Sequence, residues 1–294
     1  MLSKNVKGYV FAVLSAVIYG SMPLMSKYIY ADGVHPFSLV FLRNFLSLIP
    51  LGLLAYREHK TLKIPLKVLP DVSIASLFGC CFTPMLLFSS YQFIPSGTAT
   101  VFHFIYPALV MVAGFVFFHK KVQPISILCM VLCVGGIILF YSPQQALSLK
   151  GSALALCSAF TFATYVVLLS RFQGPRVPGF LLSFYTALVC CGVSFVICVV
   201  TGNLTFPATL RGWGLCVLFS LLVTTGAVVL FQQSTFLIGG EKASILSTLE
   251  PITGVLLGGL VMGEDLSLRV LIGTALVVTA SILVVLPDKT GSRV

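Results

Sequence analysis

The sequence predicts an all-α integral membrane protein made of two inverted copies of a five-helix unit. Hydrophobic residues make up 58% of the chain and charged residues only 9%, whereas roughly a quarter of the residues in soluble domains are charged. Apolar stretches of about 20 residues recur along the chain, each long enough to cross a hydrocarbon core of about 30 Å as a helix. A block of sequence from the first half also recurs in the second.

The apolar stretches predict ten transmembrane spans joined by short linkers. The predicted spans cover residues 9–28, 37–56, 72–93, 97–118, 124–141, 151–170, 179–200, 212–236, 242–262 and 268–286. The linkers leave no room for a sizeable soluble domain. The spans divide into a first unit at residues 8–143 and a second at residues 150–287.

The duplication is visible at a nearly constant spacing. Residues 94–107 align with residues 238–251 at an offset of 144, and Gly8 aligns with Gly151 at an offset of 143 near the start of each half. Because each unit has five spans, an odd number, the second enters the membrane in the opposite orientation. Inverted repeats of this kind are typical of secondary transporters, in which the substrate site lies between the repeats.

The net charge of +10 follows the predicted topology. With the N-terminus in the cytoplasm, thirteen Lys and Arg residues fall on the cytoplasmic side, four fall outside, and Arg43 lies within a span. This is a positive-inside distribution. It predicts a cell-membrane protein with both termini in the cytoplasm, whose basic residues contact anionic headgroups and not nucleic acid.

No sequence motif indicates catalysis or a bound cofactor. The nine cysteines all fall within predicted spans, without the neighbouring His or carboxylate that a metal site requires. Gly239 and Gly240 lack the Gly-Lys-Ser/Thr that follows in a phosphate-binding loop. We therefore expect no metal, no cofactor, no enzymatic activity and no ATP-driven transport by this chain alone.

Glu250 is the principal candidate for substrate binding or coupling. It is predicted about nine residues into the ninth span, or roughly 13 Å from the surface, and a charge at such depth is costly enough to indicate function. The adjacent Pro251 removes a backbone donor and disturbs the preceding turn. A carboxyl there can bind a cation or carry a proton. The alternative is a hydrogen-bonded glutamate that holds helices together.

Four further residues are candidates for the same site. Tyr106 occupies the repeat position of Glu250, so the two would face each other across the repeat axis. His103 is the other titratable group in a membrane segment. Tyr19 lies beside a Gly-Ser-Met-Pro sequence that breaks the first span, and Tyr165 lies on a polar side of the sixth. Broken helices are typical of transporter binding sites, but packing remains the alternative for each residue.

Other residues are assigned structural roles: Arg43, Pro107, Pro251, Gly254 and Gly258. Arg43 can reach outward to headgroups, pack between helices or pair with Glu250. Gly254 and Gly258 are four residues apart, a pattern that permits close helix contact. The sequence leaves open whether this face meets another helix of the chain or a second subunit, so a homodimer is not excluded.

The end of the second unit resembles a known family. Leu249-Glu250-Pro251, Gly258, Gly263-Glu264 and Gly273 are similar to the closing signature of EamA domains in the drug/metabolite transporter superfamily. The first copy matches more loosely, with Tyr106-Pro107 in place of Glu-Pro and Lys120 in place of Glu264.

The resemblance implies a ten-helix carrier with cytoplasmic termini that works by alternating access. Its cavity would be lined by spans 1, 3, 4, 6, 8 and 9, which favours Tyr19, His103, Tyr106, Tyr165 and Glu250. Members carry amino acids, sugars, nucleotide-sugar-like compounds, polyamines or other amines, and many bacterial members export their substrates.

The function predicted from the sequence is therefore secondary transport, in the export direction, of small polar metabolites such as amino acids or amine compounds. One alternative is a non-transporting membrane scaffold or partner subunit. A weaker alternative is an intramembrane enzyme, which would need clustered His, Asp, Glu or Ser residues. Movement of a metabolite by the purified protein in liposomes distinguishes the first hypothesis from the others.

Overall fold

The computed structural model describes residues 4–94, 96–118, 123–139, 148–171, 179–262 and 268–285, and every regular element within these ranges is a helix. Seven helical segments in this part of the chain are long and apolar enough to cross a membrane. Pro124–Ile138 and Leu271–Leu283 are shorter apolar helices. The all-helical membrane fold is confirmed, and the number of ten spans stays a prediction.

The helices follow the predicted spans, several of which are divided. The first half contains α1 (Lys4–Gly20), α2 (Met22–Ala31), α3 (Pro36–His59), α4 (Leu69–Ser76), π1 (Leu77–Phe82), α5 (Thr83–Ser90), α6 (Ser96–His103), α7 (Tyr106–Phe118) and α8 (Pro124–Ile138). The second half contains α9 (Leu149–Arg171), α10 (Gly179–Val200), α11 (Leu210–Phe219), π2 (Ser220–Ala227), α12 (Val228–Ile238), α13 (Gly240–Leu246), α14 (Leu249–Met262) and α15 (Leu268–Val285). Here π1 and π2 are short π-helical segments.

Three spans are interrupted, and in the first and ninth the sequence predicts the disturbance. The first span divides at Ser21, just before Pro23, and the fourth divides between α6 and α7. The ninth divides between α13 and α14. Pro107 and Pro251 each lie in the first turn of the helix after the break, where a missing N–H loses no intrahelical bond. Both prolines therefore lie just after a break, and their structural role stays a prediction.

The two halves pack through contacts that recur with the copies exchanged. Helix α3 packs against its counterpart α10, and α8 packs against its counterpart α15. Helix α1 packs against α12 and α14, while α9 packs in the same way against α5 and α7. The first helix of each copy therefore packs mainly against helices of the other copy.

The exchange is also visible in close approaches made by two glycines. A Cβ atom on Gly8 would lie 2.5 Å from Ile238 Cγ2, and one on Gly151 would lie 2.8 Å from Ile94 Cγ2. Gly8 corresponds to Gly151 and Ile94 to Ile238 at the repeat offsets. The start of α1 thus touches the end of α12 as closely as the start of α9 touches the chain after α5.

Hydrogen bonds between two connecting segments tie the copies together at one end of the bundle. The Thr209 N–H and Oγ1 donate to the two carboxylate oxygens of Asp32 at 3.1 and 2.8 Å. The His35 N–H donates to Thr205 Oγ1 at 2.6 Å. His35 Nδ1 accepts from the Phe37 N–H and caps α3, and partial burial lowers the pKa of His35, which favours this neutral acceptor.

Candidate functional site

A cavity lies between the two copies, beside the interrupted helices. It is lined by Tyr19, Met22, Arg43, Gly79, Cys80, Thr83, Pro84, Leu87, His103, Tyr106, Phe162, Phe231, Ser247 and Glu250. The cavity thus brings together Tyr19, His103, Tyr106 and Glu250, four of the five candidates from the sequence.

Glu250 presents an unpartnered carboxyl to the cavity. It lies in the first turn of α14, where the partial positive charge of a helix N-terminus favours an anion. Its backbone N–H donates to the Ser247 carbonyl at 3.0 Å. No hydrogen bond or ion pair to the carboxyl exists among the described residues. In particular, no N···O distance of 4.0 Å or less joins it to Arg43, so the predicted alternative of a direct Arg43–Glu250 pair is not observed.

The break in the first span lies directly against the backbone of Glu250. A Cβ atom on Gly20 would lie 2.6 Å from the Glu250 carbonyl oxygen, so only a glycine permits this close approach of α1 and α14. Tyr19, the preceding residue, contributes to the cavity wall. Gly254, one turn beyond Glu250, faces the Gly20 carbonyl, 3.5 Å from the position of a Cβ atom. The helix face that contains Gly254 therefore packs against α1 of the same chain.

What surrounds Gly258 falls outside the described part of the structure. Gly258 itself lies within α14, one turn after Gly254. Its assignment to helix packing stays a prediction, as does a homodimer formed through that side of the helix.

Tyr106 is the first residue of α7 and connects the two interrupted helices. Its side chain is buried, and its hydroxyl is hydrogen-bonded to the Ser247 hydroxyl, in the break between α13 and α14. Its ring packs edge-on against Phe162 of α9, with 4.7 Å between the ring centroids. The repeat counterparts Tyr106 and Glu250 thus both border the cavity, and within the described part of the chain only the tyrosine side chain has a polar partner.

His103 ends helix α6 and is held by α9. Its Nδ1 lies 2.8 Å from Ser158 Oγ, and the Ser158 hydroxyl also donates to the Ala155 carbonyl at 2.6 Å. The imidazole ring packs against both Tyr106 and Phe162, with centroid distances of 5.3 and 5.6 Å. The ring is therefore fixed by one polar bond and by aromatic contacts.

Tyr165 lies one layer behind the cavity wall. Its ring stacks on Phe231 at 6.4 Å and packs against Phe162 at 5.6 Å, and both of those phenylalanines line the cavity. On another side, the ring occupies the space that a side chain at Gly79 would need. Tyr165 therefore supports the wall without lining the cavity itself.

Arg43 points inward and not toward the membrane surface. Its side chain is 3% exposed, and Nη2 donates to the Cys80 carbonyl of π1 at 2.9 Å. Its own carbonyl accepts a bond from Ser220 Oγ of π2 at 2.7 Å. Arg43 therefore joins three helical segments while also lining the cavity, and the alternative of an outward-reaching arginine is wrong.

Several cavity residues escaped the sequence analysis, although the repeat offset could have found them. Phe162 is the counterpart of Tyr19 at an offset of 143, and Ser247 is the counterpart of His103 at an offset of 144. Both counterparts line the same cavity. A residue chosen in one copy therefore identifies its equivalent in the other, even where the residue type has changed.

No set of three or more His, Cys, Asp or Glu side chains is placed to hold a metal ion anywhere in the described ranges. What the cavity offers chemically is one free carboxyl, one arginine, one imidazole, several hydroxyls and a wall of aromatic rings. Such a site suits a small ligand that carries a polar head and an apolar body.

Comparison with known proteins matches both halves of the chain to one family. The match is to the EamA-like transporter family, over residues 6–142 and 149–286. The chain belongs to this family. The resemblance inferred from Glu250-Pro251 and the glycines that follow is confirmed, and the protein is a multi-pass membrane protein of the transporter class.

Relatives of this EamA-like protein are named as transporters without a stated substrate. An uncharacterized transporter of Clostridium kluyveri is 20% identical over 292 residues, covering 94% of this chain and 92% of the relative. The uncharacterized inner membrane transporter YicL of Salmonella typhimurium is 26% identical over 308 residues, covering 98% of each. A crystal structure with 17% identity has a TM-score of 0.75, covering 94% of this chain and 95% of that chain, and supports the fold.

Proposed function

We propose that this EamA-like protein is a secondary transporter that exports small polar metabolites bearing an amine, such as amino acids or amine compounds, by alternating access. The observation that carries the proposal is the unpartnered Glu250 carboxyl in a cavity between the two copies. An ionised carboxylate in a membrane interior needs a partner. A substrate amine and a proton would supply that partner in turn.

The cavity is lined by one basic and one acidic side chain, Arg43 and Glu250, which supports a substrate that carries both a positive and a negative charge. Arg43 lines the cavity, and among the described residues it has no acidic partner within 4.0 Å and donates through Nη2 to a backbone carbonyl. A zwitterion such as an amino acid can compensate Arg43 with its carboxylate and Glu250 with its ammonium group. A simple amine compensates Glu250 alone.

Alternating access is supported by the exchanged contacts between the copies. Helix α1 packs on α12 and α14 as α9 packs on α5 and α7. If the second unit is inverted, exchanging these two arrangements turns a cavity open to one side into one open to the other. The two units are proposed to be residues 8–143 and 150–287.

Orientation is part of the proposal: both termini are cytoplasmic, and the protein lies in the cytoplasmic membrane. In a background without native cysteines, single cysteines at positions 60, 120 and 292 should react with an impermeant thiol reagent only from the cytoplasmic side. A cysteine at position 147 should react from outside. Equal sidedness of positions 60 and 147 would overturn the five-plus-five arrangement.

The function is tested by solute counterflow in proteoliposomes that contain only the purified protein. Vesicles preloaded with an unlabelled solute are diluted into the same solute in radiolabelled form, using L-alanine, L-phenylalanine, L-threonine, phenethylamine and putrescine in turn. We expect saturable, ATP-independent accumulation of at least one probe. A strict ATP requirement would contradict secondary transport. No counterflow with any probe would support the scaffold or partner-subunit alternative.

A further inference from the structure

The hydrogen bonds around His103 determine which ring nitrogen carries the proton. The Ser158 hydroxyl has a single proton, which it donates to the Ala155 carbonyl. Its oxygen can therefore only accept from His103 Nδ1, 2.8 Å away, so Nδ1 carries the hydrogen. In the neutral ring the other nitrogen, Nε2, is then a hydrogen-bond acceptor.

His103 Nε2 and the Glu250 carboxyl both lack a partner. His103 is buried and lines the cavity, and its only polar contact in the described residues is the bond through Nδ1. Glu250 lines the same cavity with no bond to its carboxyl. The cavity therefore contains two acceptors whose hydrogen-bonding capacity is unused.

The repeat relates these two acceptors to a bond that does form. Tyr106 in the first copy bonds Ser247 in the second. At an offset of 144, Tyr106 corresponds to Glu250, and Ser247 corresponds to His103. The positions equivalent to the Tyr106–Ser247 pair are therefore those of Glu250 and His103, which line the same cavity. An ionised carboxylate and Nε2 are both acceptors and cannot bond each other directly, whereas a group with two N–H hydrogens placed between them can bond both.

We propose that Glu250 and His103 Nε2 form a subsite for an ammonium group that carries N–H donors. The subsite accepts primary and secondary ammonium groups, and it rejects quaternary ammonium groups, which have no N–H. The inference rests on the proposed function, in which an amine-bearing metabolite occupies the cavity, and it adds which amines fit. Ser158 is a positioning residue that acts through the tautomer of His103.

The aromatic wall does not by itself make this distinction. Tyr106 and Phe162 pack against the His103 ring, and their faces attract primary and quaternary ammonium groups alike. Selectivity must therefore come from the number of N–H donors that the two acceptors can use. A charge-assisted bond requires such a donor, and a trimethylated nitrogen offers none.

The test compares matched probes by the thermal stability of the purified full-length protein. The probes are phenethylammonium, its N,N,N-trimethyl derivative and 2-phenylethanol, because a ligand that binds the folded state stabilises it. We expect an apparent affinity at least about tenfold higher for phenethylammonium than for the trimethyl derivative. His103→Phe keeps an aromatic ring and removes the acceptor, and it should reduce that ratio to about threefold or less. His59→Phe, the same change at an exposed residue in the last turn of α3, should keep it.

Selective ¹⁵N labelling of the four histidines provides a readout that a structural role would not change. The resonances missing from His103→Phe identify His103, and we expect the Nδ1–H tautomer in the parent. Ser158→Ala removes the acceptor for that proton, so His103 should change to the Nε2–H tautomer and lose the preference for phenethylammonium. An Nε2–H tautomer in the parent would overturn the proposal, as would equal binding of the trimethyl derivative.

The two proposals fail in different ways. If no amine binds but counterflow of another probe occurs, the ammonium subsite is wrong and the transporter stands. If phenethylammonium binds with the stated preference but no probe shows counterflow, the transporter proposal is wrong and the subsite stands.

Discussion

The two π-segments occupy equivalent positions in the two copies but are held differently. At an offset of 144, residues 77–82 of π1 correspond to residues 221–226 within π2. At the start of each segment, a serine bonds the second long helix of the other copy. Ser76 Oγ is hydrogen-bonded to Thr186 Oγ1 of α10 at 3.1 Å, and Ser220 Oγ donates to the Arg43 carbonyl of α3 at 2.7 Å.

In the described residues, side chains bond two carbonyls inside π1, whereas the carbonyl that a side chain bonds in π2 is that of its last residue, Ala227, which accepts from Ser15 Oγ at 2.8 Å. Arg43 Nη2 donates to the Cys80 carbonyl at 2.9 Å, and Thr83 Oγ1 donates to the Phe78 carbonyl at 2.7 Å. The buried hydroxyls of Thr224 and Thr225 in π2 have no hydrogen-bond partner among the residues that the structure describes. At an offset of 143, the counterpart of Arg43 is Thr186, which cannot reach a carbonyl of π2 in the way a guanidinium can.

The difference indicates that the two copies share the π-helical backbone but differ in the side-chain hydrogen bonds that hold it. π-Segments recur at functional sites because they interrupt the regular hydrogen bonding of a helix. π1 is clamped and forms a fixed part of the cavity wall through Cys80. π2 is less restrained, so we expect conformational change to concentrate in the eighth span. The following predictions test this contrast.

The largest expected effect is at Gly79 in π1, where the structure has no room for a side chain. A Cβ atom there would overlap the Tyr165 ring, so Gly79→Ala should lower the free energy of unfolding by about 3 kcal/mol. Tyr165→Leu should recover part of the loss in the double variant. Gly226→Ala in π2 is the control, because its Cβ atom would meet only ordinary contacts at 3.5 and 3.7 Å. Unfolding in mixed detergent micelles measures all four proteins.

The next effect concerns the clamp itself. Arg43→Met keeps much of the side-chain volume but removes the bond to the Cys80 carbonyl, a charge-assisted bond of about 1.5–3 kcal/mol. Amide hydrogen exchange should therefore accelerate by roughly tenfold or more in π1 and change little in π2. Thr186→Val, the matched change at the repeat counterpart, should have a smaller effect. Equal acceleration in π1 and π2 would contradict the asymmetric clamp.

The smallest effect is expected at the two equivalent serines. Ser76→Ala and Ser220→Ala each remove a neutral buried hydrogen bond between the copies, so each should lower the free energy of unfolding by about 1 kcal/mol. The same unfolding assay applies. A difference of more than about 2 kcal/mol between the two variants would show that these positions are not equivalent.

The sequence was sufficient for the breaks and for the main candidates because charges and prolines are costly in a membrane. Glu250, Pro251 and Pro107 are recognisable for that reason, whatever packs around them. The repeat offset added Tyr106 by position alone. These features depend on residue type and spacing, which a single sequence contains.

The remaining features depend on which face of a helix is buried. A membrane helix is apolar on all sides, so its hydrophobic pattern does not indicate that Arg43 points inward or that Tyr165 lies behind the cavity wall. The π-segments and the His103 tautomer depend on hydrogen bonds between residues far apart in the chain, such as His103 and Ser158. No local pattern contains that information.

The central claim is that the Glu250 carboxyl is the partner for substrate in the cavity, and Glu250→Gln tests it directly. The substitution preserves size and hydrogen bonding and removes the charge. Counterflow of a probe that the parent transports should fall at least about tenfold, the effect of losing one charge-assisted hydrogen bond. Glu241→Gln, the same change in the first turn of α13, should leave counterflow unchanged. A normally folded Glu250→Gln protein that transports like the parent between about pH 5.5 and 8 would make Glu250 structural and contradict the account.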